Sequence, residues 1–76
     1  MKESLQTIIE SLVSDKSQVE IKETAGEKSI IFEVKVASED MGKVIGREGK
    51  IAKSIRTIMK ALGAKEEKKV SVEFID

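Results

Sequence analysis

The 76-residue chain has no cysteine, histidine, tyrosine or tryptophan, and only two phenylalanines. Without cysteine, neither a disulfide nor a thiolate metal site can staple the small fold. Without histidine, the usual general base and the commonest metal ligand are both missing. The acids that could still hold a hard cation are scattered, with no EF-hand spacing. A catalytic constellation therefore has few parts to build with, and the composition points away from an enzyme, a metal site or a cofactor. No apolar run reaches the length of a membrane span or of a signal-peptide core. Gln6, Thr7, Glu10 and Ser11 interrupt the stretch that comes nearest. The expectation is one soluble domain, cytoplasmic by default, with no membrane or small-molecule partner.

What is present is charge, unevenly spread. The chain balances 14 basic against 14 acidic residues. Residues 1–40 hold five lysines against nine acids, whereas residues 41–64 hold Lys43, Arg47, Lys50, Lys53, Arg56 and Lys60 against Glu48 alone. A local excess of this kind steers an anionic ligand even in a neutral protein.

Apolar spacing supplies the elements. Leu5, Ile8, Ile9, Leu12 and Val13 fall on one face of an amphipathic helix that ends at Asp15-Lys16-Ser17. Val19 and Ile21 begin a short strand, Gly26 turns the chain, and Ile30, Phe32, Val34 and Val36 alternate along a second strand. Ser38 reads as an N-cap with Glu39 and Asp40 in the first turn of a two-turn helix carrying Met41, Val44 and Ile45. After Gly46-Arg47-Glu48-Gly49 a longer helix carries Ile51, Ile55, Ile58 and Leu62 on one stripe, with Gly63 placed to stop it. An exposed Ala64–Lys69 loop leads to a last strand with Val70, Val72 and Phe74. The order α-β-β-α-α-β, with stripes on helices and alternation on strands, predicts a two-layer α+β sandwich. Phe32 and Phe74 read as core, Gly42 as a close-packing residue, and Lys53, Arg56 and Lys60 as a solvated back face.

The two glycines of "GKVIGREGKIAKSI", residues 42–55, carry the chemistry. Gly46 permits a reversal with positive φ, and the lack of Cβ admits a ligand's backbone. Unpaired amides at the start of the next helix form an anion site, to which Lys43, Arg47 and Lys50 add charge. A phosphodiester suits it. The P-loop pattern fails, because Val44 and Ile51 stand where a glycine and a hydroxyl are required. The dinucleotide fingerprint fails too, since no strand leads into the glycines. A helix-turn-helix reader of duplex DNA stays open, although Ile51, Ala52, Ser54 and Ile55 are poor material for base edges.

"VIGREGKIAKSI" resembles the signature of the KH domain, V-I-G-x-x-G-x-x-I-x-x-I. Val44, Ile45, Gly46, Gly49 and Ile55 match; the signature's middle isoleucine falls on Ala52, with Ile51 one step early. The element order resembles the bacterial, type II arrangement, and the whole chain looks like the small single-KH proteins of the KhpA kind. The resemblance implies a groove for about four single-stranded nucleotides, clamped by the GxxG loop. Carried over by position, Gly46 and Gly49 allow close approach and Arg47 and Lys50 face phosphate, with Lys43 beside them. Val44, Ile45 and Ile51 would form the apolar floor. Glu48 offsets Arg47 and keeps the grip light. The resemblance further implies an RNA chaperone or post-transcriptional role, a tie to cell elongation and envelope synthesis in some bacteria, and pairing with itself or with a larger KH-containing protein. Ile58 and Met59 are the candidate dimer contacts. A module in which that partner carries most of the RNA affinity is the second reading.

Overall fold

Alternating apolar residues build the sheet, and striped ones build the layer that covers it. The computed structural model describes residues 1–75 and runs α1 (Lys2–Leu12), β1 (Glu20–Ala25), β2 (Ser29–Lys35), α2 (Met41–Ile45), α3 (Lys50–Ala64) and β3 (Lys69–Ile75). Turns of 3₁₀ helix at Lys16–Gln18, Ser38–Asp40 and Arg47–Gly49 mark three connections. This is the expected order, an α+β fold with three helices on a three-stranded mixed sheet.

β2 lies in the centre. β1 pairs with it antiparallel through a hairpin closed by the Gly26 N–H donating to the Ser29 carbonyl at 2.7 Å. β3 runs parallel on the other side, aligning Ile30 with Val70, Phe32 with Val72 and Val34 with Phe74. Parallel neighbours need a crossover, and the α2–α3 segment supplies it. Strand alternation puts the paired apolar residues on one face. There Phe32 and Val34 are wholly buried with Leu5 and Ile9 of α1, Val44 of α2 and Met59 of α3. Side chains of this size contribute about 1.5–3 kcal/mol each on full burial. The opposite face pairs Glu20 with Lys35 and Lys22 with Glu33, and leaves Ile31 and Ile75 partly exposed.

The third helix is rotated from its expected setting. Its fully buried residues are Ala52, Ile55, Met59 and Gly63; of the expected stripe, Ile55 is buried, Ile51 and Leu62 pack half-buried against the core, and Ile58 is left outside. Met59 is therefore a core residue with no exposed surface and is not a dimer contact; Ile58, 47% exposed, stays outside. Small residues explain the rotation. A Cβ on Gly63 would lie 2.3 Å from Val70 Cγ2 and 2.9 Å from the Lys68 carbonyl oxygen, so only glycine lets α3 approach β3 so closely. Gly63 thus packs the helix rather than stopping it. The stop comes later: the Lys68 N–H donates to the Gly63 carbonyl at 3.0 Å, and Glu67 turns left-handed at φ 57°. Ser38 is not a cap either, since its own turn starts from Ala37, whose carbonyl accepts the Asp40 N–H at 2.8 Å. A Cβ on Gly42 would meet nothing within 4 Å, so no packing requires that glycine.

Candidate nucleic-acid interface

α2 ends where the Gly46 N–H donates to the Gly42 carbonyl at 2.9 Å. Gly46 then takes φ 77°, ψ 173°, a conformation open essentially only to glycine. A Cβ there would lie 2.6 Å from Ile51 Cγ1, so the Ile51 side chain covers the glycine backbone directly. Glu48, at φ 56°, and Gly49, at φ 74°, are both left-handed; beside Gly49 a Cβ would meet nothing. The Gly49 N–H donates to the Gly46 carbonyl at 3.1 Å, and the Lys50 N–H to the Arg47 carbonyl. Among the described residues the amides of Arg47 and Glu48 have no acceptor. These two stand at the apex of the loop, ahead of the first turn of α3.

Two of the three expected cations are available. Arg47 and Lys50 are exposed and have no carboxylate partner among the described residues. Lys43 is different: its Nζ lies 3.1 Å from Asp40 Oδ1 and also donates to Ser14 Oγ. Its charge is already offset, which removes it from the front rank of phosphate contacts. Asp40 is itself fully buried and accepts the N–H groups of Ser14, at 3.1 Å, and Asp15, at 3.0 Å. Those amides, Asp15's first and then Ser14's, hold its carboxyl below the ordinary range, and Lys43 adds to the effect. The group expected to sit on a helix dipole instead ties the end of α1 to the root of the loop. No local pattern could have revealed this, because the partners are 25 and 26 residues away.

The apolar floor also needs correcting. Val44 has no exposed surface and supports the loop from within the core. Ile45 and Ile51 are half-buried and retain surface beside the glycines.

Lys53 and Lys60 are exposed, as expected of a solvated face, whereas Arg56, exposed as well, also makes specific contacts with β3. Gly49, Lys53, Arg56 and Lys60 are spaced 4, 3 and 4 residues apart, which aligns them along one side of α3. That side meets β3. Arg56 Nε donates to the Val72 carbonyl at 3.0 Å, and the guanidinium stands 5.6 Å from the centre of the Phe74 ring. Lys60 lines a cleft of about 490 Å³ with Ala64, Lys68, Lys69, Val70 and Ser71. At about 1.5 Å per helical residue, a basic path of roughly 16 Å runs from Gly49 to Lys60. Its far wall is the outer edge of β3, whose only strand neighbour among the described residues is β2. The spacing from the second glycine was the signal for this path.

A family profile described as "KhpA/KhpB, KH domain" matches residues 2–74. The chain belongs to the KhpA/KhpB family. It is 57% identical over 75 residues to the RNA-binding protein KhpA of Clostridium acetobutylicum, covering 99% of this chain and 100% of that one. It is 53% identical over 75 residues to the RNA-binding protein KhpA of Caldanaerobacter subterraneus, with the same coverage. The RNA-binding protein KhpA of Borreliella burgdorferi is 42% identical over 74 residues, 97% of this chain and 90% of that one. No solved structure matches the chain. In this KhpA/KhpB domain both matched glycines take positive φ, with the left-handed Glu48 between them. Among the described residues no helix is long and apolar enough to cross a membrane.

Proposed function

We propose that this domain binds single-stranded RNA, about four nucleotides at a time, with the phosphodiester backbone on the Gly46–Gly49 loop. One observation carries the reading. The two acceptor-free amides of Arg47 and Glu48 sit between the unpaired cations Arg47 and Lys50, at the head of a basic path along α3. The bases would pass over Ile45 and Ile51 toward the cleft between α3 and β3. The names of its relatives support RNA as the ligand. The function is non-enzymatic: a cytoplasmic RNA chaperone or post-transcriptional regulator, serving cell elongation and envelope synthesis as the family resemblance implies.

Glu48 limits the loop's net charge, so one module binds weakly, and pairing of modules raises the effective concentration. Ile58 favours a second, compatible reading as a dimerisation module, with a second copy or a larger KH-containing protein. It is 47% exposed, and the half-buried Ile51 and Leu62 flank it. In sedimentation of the full chain, Ile58→Glu should lower the mass toward the monomer; an unchanged mass removes this helix from the interface.

The RNA reading is tested by replacing Arg47 and Glu48 with aspartate together. Aspartate tolerates the left-handed backbone at position 48, so the circular dichroism should persist while binding to short unstructured RNA is lost. Parent binding should weaken with salt at a log-log slope of roughly −2 to −3, for three to four phosphates on a single strand. A double variant that binds like the parent would show that the loop is not the site.

A further inference from the structure

The geometry points to Arg56 as a base-reading residue, which favours guanine at the nucleotide lying between α3 and β3. The inference rests on the RNA reading above and adds a specificity to it. Arg56 is the one cation of the basic path that the fold holds in place. Its Nε is committed to the Val72 carbonyl at 3.0 Å, and its guanidinium carbon stands over the Phe74 ring, 5.6 Å from the ring centre. Among the described residues no carboxylate pairs with it, so both terminal NH₂ groups keep their donors. A planar fork fixed at its base and open at its tip is pre-organised for an edge with two adjacent acceptors.

Phosphate would also accept such a fork, but position argues for a base. The backbone clamp is the loop, and Arg56 lies seven residues beyond Gly49, about 10 Å along the helix. Beside it lie the half-buried Phe74 ring and the edge of β3, an aromatic surface of the kind on which splayed bases stack, rather than a site for a solvated backbone. Guanine offers O6 and N7 side by side and is the base that arginine reads in this way, whereas adenine puts a donor beside N7. Arg56 meanwhile satisfies the Val72 carbonyl with one hydrogen bond.

The test is binding of the full chain to short uridine-rich RNAs that carry one variable base. Guanosine should bind roughly five- to 100-fold tighter than uridine, cytidine or adenosine at the best position. Inosine, which keeps O6 and N7, should match guanosine; 7-deazaguanosine, which lacks N7, should lose most of the advantage. Arg56→Lys, which keeps the charge but not the planar fork, should bring guanosine down to the affinity of the other bases. Three results would overturn the assignment: no guanine preference in the parent, a preference kept in Arg56→Lys, or an Arg56→Met variant that binds every sequence more weakly by one factor with a shallower salt slope. The last pattern identifies a phosphate contact. A parent that binds all the RNAs alike sinks this inference alone, whereas one that binds none of them sinks the RNA reading as well.

Discussion

The two loop glycines share a sign of φ but not a surrounding, and alanine at each should separate the two. At Gly46 an alanine meets two penalties. The conformation φ 77°, ψ 173° is one that other residues occupy at about 1–3 kcal/mol of strain. The new Cβ would also stand 2.6, 2.9 and 3.0 Å from three atoms of Ile51, an overpacking that costs about 1–3 kcal/mol. At Gly49 only the left-handed backbone at φ 74° counts, at about 1–2 kcal/mol, because nothing lies within 4 Å of the new methyl. A 76-residue domain has about 4–11 kcal/mol of stability in all, at 0.05–0.15 per residue. Gly46→Ala, at about 4 kcal/mol, should therefore remove from about a third to all of that stability. Gly49→Ala should fold, with a midpoint about 5–15 °C below the parent's.

Urea unfolding followed by far-ultraviolet circular dichroism measures both. A further variant isolates the steric part. Ile51→Ala destabilises the parent by opening the cover over Gly46, but in the Gly46→Ala background it relieves the contact. The double variant should thus be more stable than the sum of the single losses by about 1–2 kcal/mol, within the range for touching residues. Equal losses at the two glycines, or strict additivity with Ile51, would refute this account of the loop.

Other expectations concern the parts that support the loop. A carboxyl with a depressed pKa contributes stability that is complete above its unfolded value, about 3.9, and fades as the pH falls through the folded one. The urea midpoints of parent and Asp40→Asn should therefore differ by a constant amount from about pH 5 to 7 and converge below about pH 4; a gap that persists in acid would mean that the carboxylate is not its cause. Met59→Ala should cost about 2–5 kcal/mol as a core truncation, whereas Ile58→Ala should stay within about 0.5 kcal/mol in the monomer, both read by urea unfolding. Gly63→Ala should lower the thermal midpoint, because overpacking against Val70, at about 1–3 kcal/mol, outweighs the roughly 1 kcal/mol that alanine gains in a helix.

Strand alternation carried most of the fold. Ile30, Phe32, Val34, Val70, Val72 and Phe74 declare their face by period alone, and the structure pairs them in register as the period requires. The glycine loop was equally plain, because Gly46 and Gly49 leave few other uses for their spacing. Asp40 and Lys43 were not legible. Both look like ordinary charges of a short helix, and only the fold brings the Ser14 and Asp15 amides to them. A buried carboxylate whose donors come from another element leaves no mark in its own neighbourhood.

The third helix shows why a correct element can still carry a wrong surface. At about 100° per residue, its apolar arc takes in Ile51, Ile58 and Leu62 at one side and Ala52, Ile55 and Met59 at the other. Residue size favours centring the arc on the isoleucines. Packing favours centring it on Ala52 and Gly63, because the small residues let the helix settle onto β3. The two centres differ by roughly 70°. That rotation drives Met59 inside, exposes Ile58, and swings Arg56 from the back of the helix to the edge of the sheet, where Val72 and Phe74 hold it. Ile51, one step early for the signature, is then free to cover Gly46 while Ala52 takes the buried position. The departure from the family pattern and the placement of Arg56 beside the strand therefore have one origin, the close approach that Gly63 permits.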